Sequence, residues 1–243
     1  MITFHAPEPL VAGATMILGE SVAHHARVLR LEPGQRVRLS DGAGTTSDGS
    51  IARIQKSSVS VDVGEVTTHG PPRDLHVMVP IGDRDRMLWL AEKMTELGVA
   101  SWRPVMYRRS RSVSPRGEGA GFQNKARARA VSALEQSGAA WLPVFYPDAT
   151  LDRSIAITPA GTRLLLDPAG EPIAGVAMSE PVTIALGPEG GLDPAEREQL
   201  VAAGFRPTSL GDNILRFETA AVAGVAIVGA LLRDEHGKTK VDA

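Results

Sequence analysis

The 243-residue sequence contains no cysteine. That absence excludes disulfide staples, thiolate metal sites and cysteine nucleophiles, and it suits a cytoplasmic setting. Long apolar runs are also missing. The longest, Ala220 to Leu232, has 13 residues and includes two glycines, short of the roughly 20 that span a bilayer, so it reads as a buried helix and no membrane association is expected. The first seven residues, Met1-Ile2-Thr3-Phe4-His5-Ala6-Pro7, lack the basic start and apolar stretch of a secretory signal. A positive excess is lacking too: the net charge is −2, unlike that of a protein that coats itself with nucleic acid. The 25 glycines and 17 prolines are dispersed, which leaves no low-complexity tract. Several catalytic templates are absent. There is no phosphate-binding P-loop, no His-Glu-x-x-His metal motif and no serine in a nucleophile elbow. His24 and His25 are adjacent, so on a helix they diverge by about 100° and make a poor chelating pair; no metal is expected.

What is present divides the chain in two. Hydrophobic residues make up 43% and charged residues 22%, a globular mixture. Up to about residue 70 the pattern is of short strands and turns. Gln35–Ser40 and Val59–Val63 alternate polar and apolar, with Asp41-Gly42-Ala43-Gly44 and Asp48-Gly49 as turns between them. One short helix is expected near Ser21–Leu31, with Ser21 as its N-cap. A small β-barrel fits this pattern over residues 1–70. The loop His69-Gly70-Pro71-Pro72-Arg73 then leads into residues 74–243, where apolar runs alternate with helices. Strands are expected at Leu75–Pro80, Trp102–Tyr107, Arg163–Asp167, Val182–Leu186 and Thr208–Leu210. Such alternation predicts an α/β domain with a mainly parallel sheet covered on both faces. Met87, Leu90, Ala91, Met94 and Leu97 share one helical face ending at Gly98. Asp193-Pro194-Ala195-Glu196 carries an N-cap acid, a first-turn proline and a capping-box glutamate, and that helix should end at Gly204. Glu218–Arg233 is apolar on nearly every side, which predicts burial inside the domain or between subunits.

Two segments carry chemistry. Leu186-Gly187-Pro188-Glu189-Gly190-Gly191-Leu192 lies between a buried strand and the capped helix. Its glycines permit close approach of a ligand to exposed backbone amides beside a helix N-terminus. Leu210-Gly211-Asp212-Asn213-Ile214-Leu215-Arg216-Phe217-Glu218-Thr219-Ala220 runs from a strand end through a turn into the apolar helix, and places Arg216 and Glu218 at the helix mouth. Both follow sheet strands, on the edge where open α/β sheets bind ligands. Between Ser101 and Ala130 stand eight basic residues (Arg103, Arg108, Arg109, Arg111, Arg116, Lys125, Arg127 and Arg129) against one acid, Glu118. Such a cluster either neutralises phosphates or forms a solvated face.

These segments, in this order, resemble the SPOUT class of methyltransferases and, more narrowly, the RsmE family, which methylates N3 of a uridine in 16S ribosomal RNA. The similarity extends to His25-Ala26-Arg27-Val28-Leu29-Arg30, Glu92–Val99, Arg111-Ser112-Val113 and Glu135-Gln136-Ser137-Gly138. It implies a PUA-like β-barrel for RNA and a C-terminal domain tied in a deep trefoil knot. It also implies a homodimer with the site at the subunit interface, and S-adenosylmethionine held bent by backbone groups. The cofactor-binding residues so implied are Leu166, Leu186, Gly187, Pro188, Glu189, Gly190, Gly191, Leu210, Gly211, Ile214, Leu215 and Arg216. Candidate catalytic residues are Arg216, Glu218 and Glu189, although either glutamate can equally cap a helix. Candidate RNA contacts are Arg27, Arg30, Arg108, Arg109, Arg111, Arg127 and Arg129, and the implied partner is the small ribosomal subunit. The chain departs from the family at Ala139, Ala140 and Trp141, where basic residues are usual, and at Asn213 and Phe217, where arginine and threonine are usual. A neutral uracil N3 carries a proton, so the site must assist its removal or stabilise the anion, and hold N3 roughly 3–3.5 Å from the methyl. Rival readings are methylation of another position such as a ribose 2′-hydroxyl, a non-catalytic RNA-binding assembly factor, and a flavodoxin-like nucleotide domain. For the last, Ile81-Gly82-Asp83-Arg84-Asp85 makes a poor phosphate loop.

Overall fold

The computed structural model describes residues 1–110 and 119–238. The chain forms two compact units. Met1–Pro71 groups with Ala130–Leu142, and Pro72–Arg129 groups with the chain from Pro143 onward.

In the first unit, β1 (Ile2–His5), β2 (Thr15–Leu18), β3 (Arg36–Ser40), β4 (Thr45–Ile54), β5 (Val59–Asp62) and β6 (Val66–Thr68) form one sheet. Its order is β1-β3-β4-β5-β2, with β6 also on β4. Only the β1–β3 pairing is parallel. The expected alternation is realised: Val37 and Leu39 of β3 and Val59 and Val61 of β5 point inward with Phe4, Leu18 and Ile51. Helix α1 (Glu20–Val28) closes this core with Ala23 and Ala26. It starts one residue before Ser21. Gly19 is the N-cap, in extended conformation; it has no side chain to make a cap bond, and Glu20 is the first-turn acid that the helix dipole favours.

The second unit holds β7 (Leu75–Pro80), α2 (Arg84–Glu96), β8 (Ser101–Met106), β9 (Val144–Phe145), β10 (Ala149–Thr150), α4 (Leu151–Ala156), β11 (Thr162–Pro172), β12 (Val182–Leu186), α5 (Pro194–Ala202), β13 (Arg206–Ser209) and α6 (Phe217–Lys238). Helix α3 (Gly119–Ser137) begins in this unit and ends in the first. The sheet order is β10-β8-β7-β12-β11-β13, with β9 on β8. Every pairing is parallel. Side chains alternate between two apolar layers, as the strand period requires. Val77, Val79, Leu164 and Ile184 enter one layer with α2 and α6. Met78, Leu165 and Ala185 enter the other with Leu151 of α4 and Leu200 of α5. Strand β12 is buried at all five positions, as a central parallel strand should be.

Two helix signals read from the sequence are realised. The Asp193–Glu196 capping box is formed in full, with Pro194 in the first turn. Gly98 follows α2 with φ +68°, and Val99 N–H donates to Met94 O at 3.2 Å in the closing turn. Two strands differ from expectation. Strand β11 runs on to Pro172, with its register against β13 broken between Leu166 and Glu171, both opposite Thr208. Strand β13 begins at Arg206 rather than Thr208 and ends at Ser209, since its pairing with β11 starts at Arg206↔Leu164. Helix α3 had no large-residue periodicity to announce it. Its buried face is small, Ala126, Ala130 and Ala133 with Leu134; the i, i+4, i+7 alanines were the available signal.

Candidate active site

Because all strands of the second unit run parallel, the turns that follow them gather at one sheet edge. Four of them meet. After β12 comes Gly187–Leu192, in which Glu189, Gly190 and Gly191 are exposed and Pro188 is buried. After β13 comes a stretch in which every residue from Gly211 to Arg216 is exposed; Ile214 is 87% exposed, an unusual state for a large apolar side chain. Leu166 is paired with Leu186 on one side and Thr208 on the other, so it stands at the same edge as Leu210. The parallel topology thus brings together all twelve residues read from the sequence as cofactor contacts.

The other two turns supply walls that the sequence reading missed. After β7, Asp83 caps α2 by accepting from Asp85 N and Arg86 N, both at 3.1 Å. This places Arg86 in the first turn, where its side chain donates to Glu189 Oε1 and lies 3.7 Å from Glu218 Oε1. The other oxygen of Glu218, Oε2, is buried without a hydrogen-bond partner. Gly82 lies against the ring of Phe217, and a Cβ there would sit 3.0 Å from Cζ. The family-atypical Phe217 is therefore the packing partner of the β7–α2 turn. After β8, Arg108 N–H donates to Glu196 Oε1 at 2.7 Å and its guanidinium reaches Asp193 at 3.2 Å. Arg109 donates to Gly190 O at 3.4 Å. Glu196 also accepts from Asp193 N at 3.2 Å, so one buried carboxylate closes the α5 cap and fastens the end of β8. Beside it the Tyr107 hydroxyl is buried with no partner, and desolvation, followed by the charge of Glu196, drives its pKa far above the usual tyrosine range.

The basic cluster is heterogeneous. Arg103 is buried, donates to Ser154 O at 3.1 Å and stacks on Tyr146. Desolvation there lowers its pKa, and a phosphate has no access to it. Arg108 contacts the α5 cap and Arg109 the glycine turn, and both remain exposed. Arg127 and Arg129 are exposed on α3, with Arg129 3.7 Å from Glu92. In the first unit, Arg27 donates to the carbonyls of Gln55 and Lys56, and exposed Arg30 takes φ +54°. Arg111 and Arg116 lie outside the described residues, as does the stretch Arg111-Ser112-Val113.

The residues present fit S-adenosylmethionine. At this edge Leu166 and Leu210 are half-buried and Ile214 and Leu215 exposed, apolar surface of the kind an adenine needs, while Leu186 is buried; Glu189 and Glu218 are carboxylates, of the sign a sulfonium needs. Among the described residues no group of three His, Asp or Glu side chains is placed to hold a metal ion, and no helix is long and apolar enough to cross a membrane.

The chain is similar to known proteins over most of its length. A family described as RNA methyltransferase domain matches residues 69–229, and an RNA methyltransferase PUA domain matches residues 18–64. Ribosomal RNA small subunit methyltransferase E of Synechocystis is 27% identical over 93% of this chain and 76% of its own length; the Bacillus subtilis protein of the same name is 26% identical over 90% and 92%. The structure of the Neisseria gonorrhoeae ribosomal RNA small subunit methyltransferase E bound to S-adenosyl methionine superposes with a TM-score of 0.87 at 28% identity, covering 95% of this chain and 98% of that one. A Legionella pneumophila putative methyltransferase in complex with the same cofactor gives 0.84 at 27% identity, covering 95% and 97%.

Proposed function

The chain belongs to the RsmE family of RNA methyltransferases, whose domain spans residues 69–229, and we propose that it transfers a methyl group from S-adenosylmethionine to N3 of a uridine in the 16S RNA of the small ribosomal subunit. The observation that carries this reading is the convergence of the glycine turn after β12 and the exposed Gly211–Arg216 stretch after β13 at one edge of a parallel sheet. When bound, the cofactor supplies an electrophilic methyl on a cationic sulfur.

The chain's own residues then have distinct tasks. The backbone of Gly187–Gly191 and Gly211–Leu215 holds the cofactor, with Leu166, Leu186 and Leu210 as its apolar support. Arg216 stabilises the negative charge that develops on the uracil oxygens as the N3 proton passes to solvent water, because a cation held in place beside the ring needs no reorganisation as that charge develops. Glu189 and Glu218, first considered as proton acceptors, each direct an oxygen toward Arg86. In this reading they border the site and place negative charge beside the cationic donor. RNA is held by the PUA-like unit through Arg27 and Arg30 and by Arg127 and Arg129 of α3, with Arg108 and Arg109 nearer the glycine turn.

The family's trefoil knot, a homodimer and a cytoplasmic setting belong to the same proposal. In support of the dimer, α6 buries Phe217, Ala221, Val225, Val228 and Leu232 in its own unit but leaves Ala226 and Ala230 exposed and Val222 and Ile227 half-exposed. The test is methyl transfer from labelled cofactor to small ribosomal subunits lacking the modification, followed by digestion and mass spectrometry. Label on uracil N3 is expected. Label on a ribose 2′-oxygen, or none, overturns the assignment.

A further inference from the structure

The β7–α2 turn fails as a phosphate loop, yet it lies against both segments assigned to the cofactor. Arg86 stands in the first turn of α2, where the helix dipole disfavours a cation. A residue that breaks a local preference needs a compensating interaction or a function. Here the compensation is specific. One guanidinium nitrogen, Nη1, reaches Glu189 of the glycine turn and Glu218 of the first turn of α6. The Asp83 cap fixes the backbone from which it reaches, and the Phe217 ring on Gly82 holds α6 against the same turn. Glu218 is largely buried, with 13% of its side chain exposed, and Oε2 has no donor. A carboxylate in that state depends on its one cation.

We propose that Arg86 is a positioning residue for methyl transfer: it clamps the glycine turn and the mouth of α6 to each other through Glu189 and Glu218, and so sets the width of the cofactor cleft. The inference rests on the cofactor assignment above and adds to it a third element, α2, that touches neither cofactor nor RNA in this scheme. Both carboxylates meet a single nitrogen, so a lysine ammonium, a point charge, can reproduce part of the contact.

The experiment compares full-length wild type with R86Q, R86K, E189Q and R86Q/E189Q, using calorimetry with S-adenosylmethionine, thermal melting and methyl transfer to small ribosomal subunits. R86Q should raise the cofactor Kd about tenfold, the size of loss expected for breaking a coupled charge pair. R86K should recover part of that loss. Glu189 is exposed, so E189Q folds; it should weaken binding in the same direction, and the loss in R86Q/E189Q should be smaller than the product of the two single losses. A purely structural role would lower the melting temperature of R86Q without raising the cofactor Kd, without recovery by R86K and without non-additivity. The clamp is refuted if R86Q and E189Q bind cofactor as tightly as wild type, or if their losses multiply. Should wild type itself show no affinity, the cofactor assignment falls and the clamp with it; should wild type bind and the variants bind equally well, the clamp alone falls.

Discussion

Gly44→Ala tests whether Trp141, one of the departures from the family pattern, has become a structural lock. Gly44 has φ +98°, and a Cβ added there would overlap Trp141 Cζ2 and lie 2.6 Å from Cε2 and 2.7 Å from Cη2. The indole is held by a bond from Nε1 to Gly70 O at 2.7 Å, and the neighbouring backbone is pinned by Gly44 N to Ala140 O at 2.9 Å. The ring cannot retreat without giving up those contacts. An alanine at positive φ costs roughly 1–2 kcal/mol, overpacking about 1–3 kcal/mol and the lost hydrogen bond about 1 kcal/mol. The expected total is about 4 kcal/mol, or roughly 10 °C in melting temperature for a chain of this size. Urea and thermal unfolding, followed by tryptophan fluorescence and far-ultraviolet dichroism, read this directly. The control is the Trp141→Ala background, where the obstructing ring is gone and Gly44→Ala should cost only the backbone strain, about 1 kcal/mol. If Gly44→Ala costs the same on both backgrounds, or nothing on either, the lock is wrong.

Other expectations are more quickly stated. Arg216→Ala should lower kcat at saturating cofactor by about a hundredfold, the usual cost of removing one donor to a developing anion, and reduce cofactor affinity by calorimetry less than that; wild-type turnover would remove Arg216 from the chemistry. Arg127→Ala/Arg129→Ala should reduce the slope of log affinity for RNA against log salt by about 1.5, and an unchanged slope in a binding titration would show that α3 makes no phosphate contacts. Glu135 accepts from His5 N–H at 2.9 Å, and burial, only partly offset by that bond and by His25, raises its pKa above the ordinary 4.5. A raised carboxyl favours folding fully below pH 4.5 and loses that contribution as pH climbs through the raised value. Glu135→Gln should therefore flatten the stability profile from pH 4.5 upward and melt higher than wild type at pH 7. Parallel profiles would contradict the burial argument.

The sequence alone determined the elements whose reasons are local. The strand periods of β3, β5, β7 and β12, the capping box at Asp193, the glycine after α2 and the two glycine-bearing segments each depend on neighbours within a few residues. Those signals also placed both glycine-bearing segments after strands of a parallel sheet, which suffices to put them on one edge. Helix α3 and the distribution of the basic cluster were not legible, because small alanines carry little periodic contrast and a charge does not declare its partner. Arg103 turned inward onto Tyr146 and Ser154 while its neighbours stayed exposed. The association of residues 130–142 with the first unit was likewise hidden. It rests on contacts far apart in the chain, such as Ser40 Oγ to Ala139 O and Trp141 to Gly70. The same holds for Arg86, whose two partners stand 103 and 132 positions further along the sequence. Only folding decides which charges meet, because a side chain's electrostatic surroundings are set by distance in space, and sequence patterns report distance along the chain.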